Sequence, residues 1–193
     1  MRGLLRVTAT PVVTELLLPR VLAGFLEQHP QVRVEVVPSS DKLDLEASRV
    51  DVAIRAGAPP NSDKFTARRW TSVQLGFFAS PKYLRRRSVD SVDDLTELLV
   101  TQPAGGSWVL AGESRRVAGR VHADDARLLL ALCERGAGVA RLPVKLAADA
   151  VRDGRLQPVL EPAWIKAELQ LVYRLKPPER VKAFVAACLA VTA

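Results

Sequence analysis

The sequence predicts an α/β fold in which helices cover a largely parallel sheet. Three observations point there. Residues 4–57 alternate strand, helix, strand, helix, strand, an order that favours parallel strands joined by covering helices. The stretch "RVTATPVVTELLLPRV" changes from β-branched to leucine-rich at a Thr-Pro pair, as a strand handing over to a helix does. Beyond "SPKYL" a second series of strand and helix signals begins, so the chain is read as two units.

The first strand covers Leu4 to Thr8, by its aliphatic and β-branched content. Thr10 is a plausible N-cap, and Pro11 takes the first helical position. Leu18, Val21, Leu22, Phe25 and Leu26 then repeat at helical spacing, with Pro19 expected to kink or shorten that helix. "EQHP" ends it, because the residue before Pro30 is pushed out of the helical region. Val32, Val34 and Val36 alternate with Arg33 and Glu35 as a second strand. "DKLDLEAS" reads as a short helix, "VDVAIRAG" as a third strand closed by Gly57, "APPNSDK" as a loop, "SVQLGFFAS" as a strand and "SPKYL" as a turn.

In the second unit "SVDDLTEL" reads as a short helix capped by Ser91, followed by the strands "LLVTQ" and "SWVLA" around a Gly-Gly loop and by the strand "RRVAGRVHA". Asp124 or Asp125 caps the helix "ARLLLALCERG", which stops at Gly136. The strand "GVARLP", the helix "VKLAADAVRDG", the strands "RLQPVL" and "ELQLVYRL" and the amphipathic helix "ERVKAFVAACLAV" complete the chain.

At 193 residues, 48% hydrophobic and 25% charged, the chain has an ordinary globular composition and room for one large or two small cores. It shows no apolar run of membrane-spanning length, and "MRGLLRVTATP" turns polar too soon for a signal peptide, so a cytoplasmic protein without membrane association is expected. Cys133 and Cys188 lie in leucine- and alanine-rich helical stretches and read as buried thiols. The net charge of +7 is spread along the chain; its one dense knot, Arg85-Arg86-Arg87, lacks the interleaved aromatics of a single-strand binder and reads as solvated surface.

Catalysis needs a base and a nucleophile within mutual reach. His29 precedes a proline at a helix end, and His122 stands alone before a helix cap, with no triad partner and no metal-ligand spacing. "PAGGSW" and "ERGAGVA" lack the glycine pattern of a phosphate loop. No enzyme, cofactor or metal site is therefore expected. What the chain offers is a set of polar residues at strand ends, where open α/β sheets bind their ligands. Thr8, Thr10, Pro11 and Val12 stand at one such end, Ser39 and Ser40 at another, Arg55 and Ala56 at a third. In the second unit the ends carry Gln102, His122, Asp124 and Arg141.

The ordered set "LRVTATPVVTELLLPRVLAGFLEQHPQVRVEVVPS", "DVAIRAG", "LGFFASPKYL", "GRVHADDARLLLALCERGAGVARLP", "DGRLQPVL" and "LVYRLKPPERVKAFV" resembles the effector-binding domain of LysR-type transcriptional regulators over essentially the whole chain. The resemblance implies a fold like type 2 periplasmic binding proteins, with two α/β subdomains (1–75 with 173–193, and 76–172) joined by two crossover strands near Ser72–Ala79 and Glu168–Leu175. It further implies a small-molecule effector in the cleft between them, with Thr8, Thr10, Pro11, Val12, Ser39, Ser40, Arg55 and Ala56 on one wall and Gln102, His122, Asp124 and Arg141 on the other. A homodimer follows from it as well, in which the Leu18–Phe25 helix meets the Leu128–Cys133 helix of a second copy. The winged helix-turn-helix of such regulators is missing from this sequence, so DNA is a partner only through a domain of that kind. Asp124-Asp125 stands where the family commonly has Asn-Asp. A stand-alone solute-binding protein of the same fold is the competing reading, and it would need a signal peptide or lipoprotein cysteine.

Overall fold

The computed structural model of the chain describes residues 1–40, 49–57, 62–100, 107–110, 113–116 and 119–191; the helix expected over 41–48 lies outside them, as does Gln102. The chain forms two compact units, Met1–Ser72 with Ala167–Ala193, and Val73–Lys166.

The first unit begins with β1 (Gly3–Ala9), α1 (Pro11–Leu16), α2 (Leu18–Gln28), β2 (Val32–Pro38) and β3 (Val52–Ala56). β1 is parallel to both β2 and β3. Its Leu5, Val7 and Ala9 alternate along the strand and are fully buried, so they form one face packed into the core. Thr10 takes the extended N-cap position and Pro11 the first helical one, yet the Thr10 hydroxyl makes no capping bond. Thr14 instead donates its hydroxyl to the Pro11 carbonyl at 2.6 Å. The helix breaks at Leu17 because Pro19, in the first turn of α2, has no N–H to continue the ladder.

β4 (Phe65–Ala79) begins seven residues before the strand expected at Ser72, and it runs from the first unit into the second. "SPKYL" is a short helix, α3 (Pro81–Leu84), rather than a turn, because the Ser80 hydroxyl accepts the Tyr83 N–H. "SVDDLTEL" contributes only a 3₁₀ turn, Val92–Asp94, closed by a reciprocal Ser91–Asp94 capping box. Then come β5 (Leu98–Val100), β6 (Ser107–Leu110), β7 (Glu113–Arg116), β8 (Gly119–His122), α4 (Ala126–Glu134), β9 (Val139–Pro143), α5 (Val144–Arg152) and β10 (Gln157–Val159). The single strand expected over "RRVAGRVHA" is two: β7 forms an antiparallel ribbon with β6, whereas β8 joins β5. β5 is parallel to β8 and β9, and β4 pairs antiparallel with β9 and β10.

Two glycines set the approach to β9. Gly136, at φ 83°, ends α4 in a Schellman motif: its N–H bonds to the Cys133 carbonyl and that of Ala137 to Leu132. Gly138 admits the Glu97 backbone, since a Cβ there would stand 2.2 Å from the Glu97 carbonyl oxygen that accepts the Val139 N–H.

β11 (Ile165–Arg174) returns to the first unit and pairs antiparallel with β3. The closing helix α6 (Glu179–Ala190) packs on β1 and α2, where Phe25 and Phe184 meet edge to face at 5.4 Å. The indole N–H of Trp70 ties this helix down by donating to the Cys188 carbonyl at 2.5 Å. Cys133 and Cys188 are buried free thiols. Much of the basic surface is paired: Arg69 with Glu168, Arg87 and Arg120 with Glu97, Arg115 with Asp93 and Glu113, and Arg155 with Glu134 and Asp153.

Candidate functional site

In the first unit, register brings three predicted residues to one level. β1 pairs Ala9 with Pro38 and Thr8 with Ala53, so Ser39, Thr10 and Arg55 lie abreast at the carboxyl ends of β2, β1 and β3. With strands roughly 4.8 Å apart, the outer two are about 10 Å from each other. The Ser39 N–H donates to the Ala9 carbonyl at 2.8 Å, which holds that end of β2 against β1.

Thr8 has a different place from the one expected. It is fully buried, and its hydroxyl donates to the Val37 carbonyl at 2.8 Å while accepting from Arg55 Nη2 at 3.1 Å. Both functions of that hydroxyl serve the protein, so Thr8 positions Arg55 rather than facing open space. Arg55 is half-buried and also donates to the Ile54 carbonyl at 3.0 Å. Thr10 is half-buried with its hydroxyl not engaged in a cap. Pro11 and Val12 are half-buried, and Ser40 and Ala56 are exposed.

In the second unit, β5 pairs Leu99 with Ala140 and Val100 with His122, so Arg141, Val100 and His122 stand abreast at the ends of β9, β5 and β8. His122 is exposed. Asp125 is the helix cap, its carboxylate accepting the Arg127 N–H at 2.8 Å; Asp124 is exposed beside it. Arg141 is half-buried, and burial pushes its pKa down to about 10. The residue missed from sequence is Trp108: the Arg141 guanidinium stacks over its ring, 3.5 Å from the centroid. Trp108 comes from the separate β6–β7 ribbon, 33 positions away in the chain, and no local spacing signals the contact.

Among the described residues no group of His, Cys, Asp or Glu is placed to hold a metal ion, and no helix is long and apolar enough to cross a membrane.

Comparison with known proteins adds the family context. The LysR substrate binding domain family matches residues 1–193. The transcriptional regulator CrgA of Neisseria meningitidis serogroup C is 30% identical over 168 residues, 82% of this chain and 56% of that protein. PtxR, a transcriptional regulator of Pseudomonas aeruginosa, is 28% identical over 198 residues, 95% of this chain and 62% of its own. The chain thus spans little more than half the length of these relatives. Among solved structures, the regulatory domain of an AphB variant from Vibrio vulnificus superposes with a TM-score of 0.80 at 25% identity, over 98% of this chain and 100% of that one. The CrgA regulatory domain gives 0.82 at 24% identity, with 98% of each chain covered.

Proposed function

Because the chain belongs to the LysR substrate binding domain family, we propose that it senses a small polar metabolite for a transcriptional regulator and passes that binding event to a DNA-binding domain. The observation that best supports this reading is the alignment of Ser39, Thr10 and Arg55 across three adjacent parallel strand ends, where sheets of this kind bind ligands. Arg55 supplies a cation held in place by Thr8, and Thr10 supplies a hydroxyl that its own helix does not use. Together they offer hydrogen-bond donors to an oxygen-bearing metabolite. The matched relatives are named as transcriptional regulators, so the stand-alone solute-binding alternative is not carried forward.

The test is a thermal-shift screen of small carboxylates, aromatics and amino acids, since a ligand of the folded state raises its melting temperature by mass action. A hit is expected to weaken in Thr10→Val by roughly 1–3 kcal/mol, the cost of leaving a buried partner unpaired. A hit bound equally well by wild type, Thr10→Val and Arg55→Ala would remove this part of the site.

The same reading includes self-association through α2 and α4. Leu26 on α2 is 40% exposed and Leu128 on α4 is 47% exposed, the large apolar side chains that these two helices leave most open. A second copy covering them supports the dimer that the family resemblance implies.

A further inference from the structure

Among the described residues, Arg141 is a cation without an anion. On β9 it lies between the fully buried Ala140 and Leu142, and its cross-strand partner on β4 is the fully buried Phe77. One face of its guanidinium is covered by Trp108, 3% exposed, whose ring lies 6.0 Å from that of Phe77. Among the described residues no carboxylate lies within ion-pair distance and no acceptor takes a hydrogen bond from it; the only cause acting on its pKa is loss of water. The stretches of this unit outside the described residues, 101–106, 111–112 and 117–118, contain no Asp or Glu. Other arginines of this unit are provided for differently: Arg87, Arg115, Arg120, Arg152 and Arg155 face carboxylates, and Arg86 donates to the Gly136 carbonyl.

Stacking on an indole compensates part of the lost hydration, but it uses the plane of the guanidinium and leaves its edge, with five N–H donors, unfilled. The stack also fixes the orientation of that edge. A fork held this way matches one ligand class best, a planar oxyanion that accepts two parallel hydrogen bonds. The surroundings limit its charge. Asp124 and Asp125 follow His122 at the end of β8, two strands from β9, and the start of α4 is already capped by the Asp125 carboxylate. Two carboxylates on the same sheet as this one cation favour a single negative charge on the ligand over two.

We propose that Arg141, stacked on Trp108, is an anion-binding site of the second unit and that its ligand is a small monocarboxylate. The site rests on the sensing reading above only in its use, since the bound carboxylate would then be the effector or a part of it.

Acetate and its neutral isostere acetamide provide the probe pair. Each is titrated into the chain in a chloride buffer of constant ionic strength, with thermal midpoint and tryptophan emission as readouts. Acetate is expected to give a saturable shift in both readouts and acetamide none. Arg141→Gln should lower acetate affinity at least about tenfold, as loss of a charged hydrogen-bonded pair does. Arg141→Lys keeps the charge and the stem but loses the fork, so a folded Arg141→Lys chain with weakened acetate binding carries the test if Arg141→Gln fails to fold. Equal responses to acetate and acetamide, an acetate response that survives both substitutions, or tighter binding of inorganic phosphate than of acetate would each overturn the assignment. Acetate binding through Arg141 in a chain that answers to no metabolite in the thermal-shift screen would leave this site standing and remove the sensing role. A screen answered only by neutral metabolites, with no acetate response, would do the reverse.

Discussion

Cys133 and Cys188 hold their protons well beyond the ordinary thiol range: burial pushes each pKa from 9.0 up to about 12. In Cys133 the thiol also donates to the Phe78 carbonyl at 3.1 Å. A group that keeps its proton longer when folded contributes stability in full below pH 9.0 and loses it as pH rises toward about 12. Urea midpoints across that window should therefore fall more steeply for wild type than for a Cys133→Ala, Cys188→Ala double variant. Parallel slopes would show that the thiols titrate alike folded and unfolded. Gly138 makes a different demand, for space alone. Gly138→Ala places a Cβ against backbone that cannot rotate away, so it should destabilise the second unit by at least about 2 kcal/mol in denaturant unfolding. A change below about 0.5 kcal/mol, the range of ordinary surface substitutions, would mean that the Glu97 backbone moves aside.

Elements were legible in the sequence where apolar period and end signals agreed. β1, β2, β3, α2 and α5 follow directly from valine alternation, leucine spacing and the flanking prolines and glycines. The failures have physical reasons. The start of β4, "FTARRW", carries three polar or charged residues and no alternating burial, so nothing local marks it as a strand. "SPKYL" reads as a turn until the Ser80 hydroxyl is seen capping it. "RRVAGRVHA" is uniformly strand-like, and only its two separate partners, β6 and β5, divide it. The candidate residues were legible as strand ends, but the role of Thr8 and the stacking of Arg141 depend on tertiary contacts with Val37, Arg55 and Trp108. The choice between Asp124 and Asp125 also belongs to this scale. Because Asp125 caps α4, Asp125→Ala should cost about 1 kcal/mol in denaturant unfolding, whereas Asp124→Ala should leave stability within about 0.5 kcal/mol. Equal losses would mean that both carboxylates serve the helix start.

The whole molecule carries a net charge of +7, yet its arginine knots are largely spent on internal partners. Arg86 lies 5.8 Å over the Tyr83 ring and donates to the Gly136 carbonyl, and Arg87 faces Glu97 and donates to Thr96. Self-association is the molecular property most open to test. Leu128→Glu adds a charge to a side chain that is already 47% exposed, so it should spare the fold and, if α4 meets a second copy, shift sedimentation at micromolar concentration from dimer to monomer. A wild-type chain that sediments as a monomer would remove the interface.

The second unit is inserted in the first, and this has a consequence for the order in which the protein is made. A nascent chain that has emerged as far as Lys166 contains all of Val73–Lys166, while its first unit still lacks most of β11 and all of α6. Until then the β3 edge that pairs with β11 is open, and the faces of β1 and α2 that α6 covers are wet. The portion synthesised first is therefore completed last, and for that interval it presents the unpaired edge and apolar surface that chaperones recognise.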